Sequence, residues 1–427
     1  MDNLKTGNYR WVVVSLLFFA TTINYIDRQV IGLLKPTLEA EFHWSQVDYS
    51  YIVMAFTAMY ALGYVFFGSV IDKVGSKIGY GISVFFWSVA AMLHAAVNST
   101  LGFGIVRGFL GLSESGNFPA GVKAVAEWFP KKERALATGI FNSGTSIGAV
   151  AAPLLVPMIL VMYGWREAFL ITGMLGFIWL VFWWFFYEIP SKQKRLKKPE
   201  FDYIHGDTDL NTESAIKIKW KQLLGFRQTW VFIAGKVLTD PIWWFFLFWL
   251  PAYFADTFKI NLSKPSLELA VIYTATTFGS IGGGYLSSTL IKRGWLVLKA
   301  RQITLLIAAL AVTPIVLAKF TTDIWVAVGI ISLATAAHQA WSSNMFTIVS
   351  DIVPKQAVSS VVGIGGMAGS VAATLFPLLA GVILQYFNNH GNISAGYNLL
   401  FAISGSAYII AWLIIRMLTK NMKPMGI

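Results

Sequence analysis

Apolar stretches, each close to the length of a bilayer-crossing helix, alternate along this chain with short polar connections. The run from Trp11 to Ala20 is almost unbroken, and similar runs recur to the far end. A helix that crosses the hydrocarbon core needs roughly 20 mostly apolar residues. On that basis the pattern predicts helices over 10–33, 47–70, 78–97, 100–127, 134–162, 166–188, 228–255, 267–291, 300–319, 322–349, 357–386 and 395–418. The longest polar stretch, Glu188 to Trp220, falls between the sixth and the seventh, and the connections on its two sides resemble each other. The expected fold is an all-α membrane protein. Its twelve transmembrane helices form two six-helix bundles, residues 1–188 and 228–427, joined by a basic central loop over 189–227.

Composition agrees with that reading. Of 427 residues, 13% are charged and 56% hydrophobic, with a mean hydropathy of +0.62; a soluble domain has about 25% charged residues. The net charge of +12 invites a nucleic-acid reading, but its distribution argues against one. Lys73 and Lys77, then Lys131, Lys132 and Arg134, the central stretch, Lys292, Arg293, Lys299 and Arg301, and finally Arg416, Lys420 and Lys423 all fall in alternate connections or at the chain end. The opposite connections carry Glu39, Glu41, Asp48, Asn98 and NNHGNIS instead. Basic residues concentrate on the cytoplasmic side of membrane proteins, so both termini and the central loop are expected there. No cleavage site follows the first apolar run, which is expected to be retained as a span. There is no cysteine, and the five histidines stand far apart. No metal, no cofactor and no thiol chemistry is expected.

Ionisable residues inside membrane spans are rare and usually face a bundle interior or a watery cavity. Here they gather on every third helix. Span 1 has Asn24, Tyr25, Asp27 and Arg28; span 4 has Arg107, Glu114 and Asn117. Span 7 has Lys236 and Asp240; span 10 has His338, Gln339, Trp341, Ser342 and Asn344. A cavity lined by one helix from each of four three-helix repeats would select that set, and nested repeats of this kind are a known transporter plan. Arg107 and Glu114 are two helical turns apart and share a face; Lys236 and Asp240, one turn apart, can pair. Asp27 and Arg28 point in different directions, so each needs a partner from another helix, and Glu114 and Arg107 are the complements at hand. Such pairs can be purely structural, but four charges from two helices exceed what packing requires. His94, near a span end, reads as structural, and Glu127 as a gate or loop brace. In the aromatic run after Asp240, Trp243 or Trp244 can stack on a ligand. The many glycines of spans 4 and 11 allow close, sliding helix contacts.

GSVIDKVGSKIGY, residues 68–80, resembles the signature loop between helices two and three of the major facilitator superfamily, with Gly68, Asp72, Lys73, Gly75 and Lys77 in its places. The second copy, GGGYLSSTLIKRGW, has Ser288 where an aspartate is expected, which implies a weaker latch in that half. NYIDRQVIG, RGFLGLSESGNFPAG and EWFPKKERALATGIFNSGTSIG resemble the anion:cation symporter branch. GKVLTDPIWWFFLFWLPAYF, HQAWSSNMFTIVSDIVP and VVGIGGMAGSVAATLFP resemble bacterial hexuronate transporters in particular. The resemblance implies the major facilitator fold, a bacterial inner-membrane location and a proton-coupled symporter. The cargo it implies is an anionic sugar acid, glucuronate or galacturonate, carried by alternating access. Other organic anions (an aldonate or glucarate) and uniport or exchange stay open as alternatives. It further implies that Asp27 and Glu114 carry the proton, and that Asp72, with Lys73 and Lys77, latches one conformer. Tyr25, Arg28, Tyr60, Arg107, Asn117, Lys236, Asp240, Trp244, Gln339, Trp341 and Asn344 would meet the substrate. The expected partners are the hexuronate, protons and membrane lipid, with the protein acting as a monomer. A membrane enzyme acting on lipid-linked sugars would need a reactive constellation, and the sequence shows none.

Overall fold

The computed structural model describes residues 7–44, 46–206, 220–259, 267–420, 422 and 425. Twelve membrane-crossing helices run along it, numbered here as spans. Spans 1 to 3 are Tyr9–Phe42, Gln46–Val74 and Ser76–Leu93. Span 4 is broken into Thr100–Glu114 and Asn117–Trp128; spans 5 and 6 are Lys131–Tyr163 and Trp165–Phe186. Spans 7 and 8 are Arg227–Phe258 and Leu267–Lys292. Span 9, Val297–Val312, tightens into 3₁₀ turns over Thr313–Phe320. Spans 10 to 12 are Ile324–Ile352, Val358–Asn389 and Ile393–Thr419.

Ten of these helices are long and apolar enough to cross a bilayer by hydropathy alone. Spans 4 and 8 are the other two. Span 4 carries Arg107 and Glu114, and span 8 is rich in Gly, Ser and Thr. Several helices outrun their apolar core; span 1 continues to Phe42, past Lys35 and Glu39, which pair one turn apart at 3.1 Å. Once nucleated, a helix adds a hydrogen bond per residue and does not stop at the membrane edge.

Spans 1 to 6 pack together, as do spans 7 to 12. The two bundles meet along two seams, span 2 against span 11 and span 5 against span 8. The central connection is partly folded. Pro190–Lys192 forms a 3₁₀ turn and Lys198–His205 a short helix that docks on the N-terminal bundle. Its Glu200 accepts from the backbone N–H groups of Tyr9 and Arg10, each at 3.1 Å, and so caps span 1. A carboxylate is favoured there by the unpaired amides and the helix dipole.

Candidate functional site

The site begins at the break in span 4. Pro119 has no N–H to offer the carbonyl four residues back, and a proline ring crowds that position. The helix stops at Glu114 and restarts at Asn117. Ser83 Oγ–H then donates to the freed Ser113 carbonyl at 2.7 Å. The interruption leaves Glu114 fully buried and turned toward span 1. Arg28 Nη2 and Nε donate to Glu114 Oε2 at 3.0 and 3.1 Å, and Nη2 also reaches Asn24 Oδ1 at 3.2 Å. The guanidinium lies 4.6 Å from the Tyr25 and Tyr60 ring centres and 5.2 Å from that of Phe56.

Arg107, the complement of Asp27 by charge, does not pair with it. Its Nη2 donates to the Arg28 carbonyl at 2.5 Å, and its guanidinium sits 4.6 Å from the Phe56 ring. Among the described residues, Arg107 Nε and Nη1, Glu114 Oε1 and both Asp27 oxygens are buried without a hydrogen-bond partner. The reason is directional. Asp27 is about 100° round the helix from Arg28 and turns toward Thr172 of span 6, inside the bundle, with Glu114 and Arg107 in electrostatic range.

The C-terminal bundle contributes a second ion pair. Lys236 Nζ lies 2.7 Å from Asp240 Oδ2, and the ammonium sits 4.7 Å from the Phe346 ring centre. Asp240 fits because Gly369 of span 11 has no side chain: a Cβ there would lie 2.6 Å from Asp240 Oδ2. Tyr25 and Tyr64 of the N-terminal bundle are within electrostatic range of Asp240, across the bundle interface. Beside them His338 stacks on Trp243 with ring centres 4.9 Å apart, and its Nδ1 shares a 2.5 Å hydrogen bond with Tyr408. Tyr408 in turn packs edge-on against Trp341, whose buried indole N–H has no partner among the described residues.

On the side where the basic connections lie, the site has a floor. Phe118 of span 4 and Phe346 of span 10 stack across the interface, 4.9 Å apart and 10° from parallel. Around the floor the seams close. Asn142 Nδ2 donates to Gln339 Oε1 at 2.8 Å and to Ser280 Oγ at 3.0 Å, and Ser146 and Thr276 share a hydrogen bond. In the other seam Tyr64 packs on Gly363 and Gly366, and a Cβ at Gly68 would lie 2.6 Å from the Ser359 carbonyl. Arg28, Lys236 and Asp240 keep 14, 10 and 18% side-chain exposure.

Two buried charge clusters tie the basic end. Asp72 accepts from Lys123 Nζ at 2.8 Å and, across the interface, from the first-turn amides of span 11: Ser360 N at 2.7 Å and Ser359 N at 3.3 Å. The cation beside it is Lys123, not Lys73 or Lys77. Lys73 is exposed, and Lys77 pairs with Glu188 inside its own bundle at 2.8 Å. In the other seam Ser288 Oγ accepts only the Leu136 N–H, at 3.3 Å. Charge reappears at Asp351, at the end of span 10. Its Oδ2 accepts from Arg301 Nε at 2.9 Å, and its Oδ1 from Arg134 Nη1, of the opposite bundle, at 3.4 Å. Arg301 Nη2 reaches the Lys131 carbonyl across the interface at 2.8 Å, and Arg134 Nη1 also meets the Ser350 carbonyl. The half expected to be weakly latched therefore has a denser network than a single serine implies.

Other sequence-derived candidates are placed as follows. Tyr60 lies against Arg28 and donates to Tyr64 at 3.3 Å. Trp244 is half-buried; its neighbour Trp243 is the one stacked on His338. Three residues are turned away from the ion pairs. Asn117 is bonded within its bundle, to Tyr80 and Thr21; Gln339 is used in the seam; Asn344 donates to the Gly283 and Ala340 carbonyls at 3.1 and 2.9 Å, which leaves only its buried oxygen unpartnered. Glu127 braces the loop region, accepting from Ser76 and Tyr187. His94 is buried and stacked on Phe169. Sequence reasoning passed over Lys123, Asn142, Asp351 and the Phe118–Phe346 floor. Lys123 alone left a signal, a lysine deep in an apolar helix.

Known proteins match this arrangement. Residues 17–374 match the Major Facilitator Superfamily. A hexuronate transporter of Escherichia coli (strain K12) is 33% identical over 425 residues, 98% of this chain and 96% of that protein. A galacturonate transporter of Dickeya chrysanthemi is 34% identical over 284 residues, 66% of this chain and 82% of that protein. Among solved structures, a proton:xylose symporter bound to 6-bromo-6-deoxy-D-glucose superposes with a TM-score of 0.76 over 96% of this chain and 95% of that one; its 13% identity speaks for the fold alone. Twelve spans in two bundles, the loop signature centred on Asp72, and a sequence match over most of the chain place this multi-pass membrane protein in the Major Facilitator Superfamily of transporters.

Proposed function

We propose that this protein imports a hexuronate, glucuronate or galacturonate, together with a proton, by alternating access across a bacterial inner membrane, with both termini cytoplasmic. The observation that carries the reading is two ion pairs deep in the spans, Arg28–Glu114 in one bundle and Lys236–Asp240 in the other, linked electrostatically through Tyr25 and Tyr64. The names of the full-length and partial relatives supply the substrate class.

Charge counting gives the coupling. Ionised, the centre holds Arg28, Arg107 and Lys236 against Asp27, Glu114 and Asp240, so it is balanced when empty. A substrate carboxylate adds one negative charge, and one proton restores the balance. A buried carboxylate that loses its cationic partner is better off protonated. A hexuronate that takes Arg28 leaves Glu114 to accept the proton, with Asp27 as the second carrier beside it. Lys236 offers the C-terminal bundle's contact to the sugar acid, since one carboxylate does not fill three ammonium donors. Trp341, with its free indole N–H, suits the ring face and hydroxyls.

Closure follows from the same residues. Arg28 packs on Tyr60, Tyr60 bonds Tyr64, and Tyr64 packs on Gly363 and Gly366 in the span 2–span 11 seam. A change at the ion pair is thus carried to the seam that Asp72 latches. The test is uptake of labelled glucuronate into proteoliposomes, with and without an inward proton gradient, against galacturonate, galactonate, glucarate and glucose as competitors. Gradient-dependent accumulation that hexuronates alone suppress is expected. Accumulation blocked equally by glucose, or indifferent to the gradient, would refute the reading.

A further inference from the structure

The central connection presents a surface that transport does not use. Between span 6 and the short helix Lys198–His205, five cations, Lys192, Lys194, Arg195, Lys197 and Lys198, are all exposed. The acids of the segment are mostly taken up elsewhere. Glu200 is buried against Arg10 at 3.1 Å. Partial burial works against ionisation of Glu188, but the hydrogen bonds from Lys77 and the Ile189 N–H prevail and hold its carboxyl below the usual range. Among the described residues of the segment, Asp202 alone stays on the surface with the cations.

Two details fix the height of this surface. Arg195 Nη1 donates to the Phe185 carbonyl at 3.2 Å, and its guanidinium lies 4.8 Å from the Phe186 ring centre. That pins a cation to the last turn of span 6. The same turn exposes Trp184 (59%), a side chain of the kind that sits at the headgroup level of a bilayer. The segment is also held firmly. Gln193 bonds Tyr9 and the Phe186 carbonyl, Leu196 packs on the core, and Tyr203 donates to Glu133 at 2.9 Å. A loop needed only for its charge would not require this anchoring.

We propose that residues 192–198 form a docked platform that binds anionic phospholipid headgroups of the adjacent leaflet, with Arg195 as the anchor for a headgroup phosphate. Clusters of four to eight basic residues beside a span attract anionic lipid, and the attraction weakens with salt. Because the platform is fastened to the N-terminal bundle through Glu200, Arg10 and Glu133, that bundle is the one held to the lipid surface while the other rocks.

The test is lipid retention by the full-length protein, measured by native mass spectrometry with equimolar phosphatidylglycerol and phosphatidylcholine. The wild type should retain phosphatidylglycerol preferentially. The K192Q/K194Q/R195Q/K197Q/K198Q variant should lose that preference by about tenfold or more, while Lys319→Gln, an exposed cation elsewhere, should keep it. Thermal stability and gel filtration verify the variant's fold. If it does not fold, Arg195→Gln alone and a sodium chloride titration of the wild type take its place, and both should lower the preference. A wild type without preference, or a folded variant that retains it, would overturn the proposal and leave the cations a purely topological role. Displacement by millimolar glycerol phosphate would overturn the lipid assignment in favour of a soluble phosphate ester.

Discussion

Replacing Asp72 by asparagine should shift the carrier toward the state open at its basic end. The side chain keeps its shape. Two things change. The ion pair with Lys123 is lost, but that pair lies within one bundle, so opening does not require it to break. What closure alone supplies is the carboxylate's hold on the Ser359 and Ser360 amides. An asparagine oxygen can still accept from one of them, without the charge. Hydrogen bonds to charged groups contribute about 1.5–3 kcal/mol, and a helix N-terminus adds about 0.3–1 kcal/mol for a negative charge. A net loss near 2 kcal/mol changes the open-to-closed ratio about 30-fold. A wild type open about 1% of the time would become open about 20% of the time, by simple population arithmetic. The chain has no cysteine, so spin labels at Lys73→Cys and Arg293→Cys, exposed on opposite bundles, read the opening directly. Double electron–electron resonance should show a longer distance gaining weight in the variant. An unchanged distance distribution in well-folded protein would refute the latch.

Four further outcomes follow from the same geometry. Asp27→Asn and Glu114→Gln should each abolish gradient-driven accumulation while at least one of them keeps substrate exchange; full accumulation in both would remove them from the proton path. Lys236→Ala should weaken hexuronate binding tenfold or more, about 1.4 kcal/mol, measured calorimetrically in detergent, whereas unchanged affinity would make the Lys236–Asp240 pair a structural brace. Asp351→Asn should lower thermal stability, by about 3–5 kcal/mol where breaking a buried pair strands a charge, because Arg301 is fully buried against it. Arg134→Gln should instead act mainly on the spin-label distances, since its contacts with Ser350 and Asp351 cross between bundles; a large loss of stability without a distance change would refute that division.

Much was determined by the sequence alone. Twelve apolar stretches, a basic stretch in the middle, and charges on every third helix dictate the membrane fold and the helices that line its centre, because lipid tolerates charge only where other protein groups or water meet it. Asp72 was legible from its loop, and Lys236–Asp240 from an interval of one turn. Such signals are local: a spacing on one helix fixes which residues share a face.

Partner choice between helices has no such signal. Nothing in the spacing tells that Arg28 takes Glu114 while Arg107 turns to a backbone carbonyl and Asp27 faces span 6. That depends on how far each helix is rotated against its neighbours, and on where Pro119 breaks span 4. Lys123 displaces Lys73 and Lys77 beside Asp72 because it approaches from another helix at the right height. Gln339 is spent on Asn142 because spans 5 and 10 meet mid-membrane, and Arg301 and Arg134 converge on Asp351 only because spans 5, 9 and 10 come together at the basic end. The tertiary structure decided these pairings, since a buried charge or amide bonds to whatever donor packing brings within about 3 Å, and packing is a property of all the helices together.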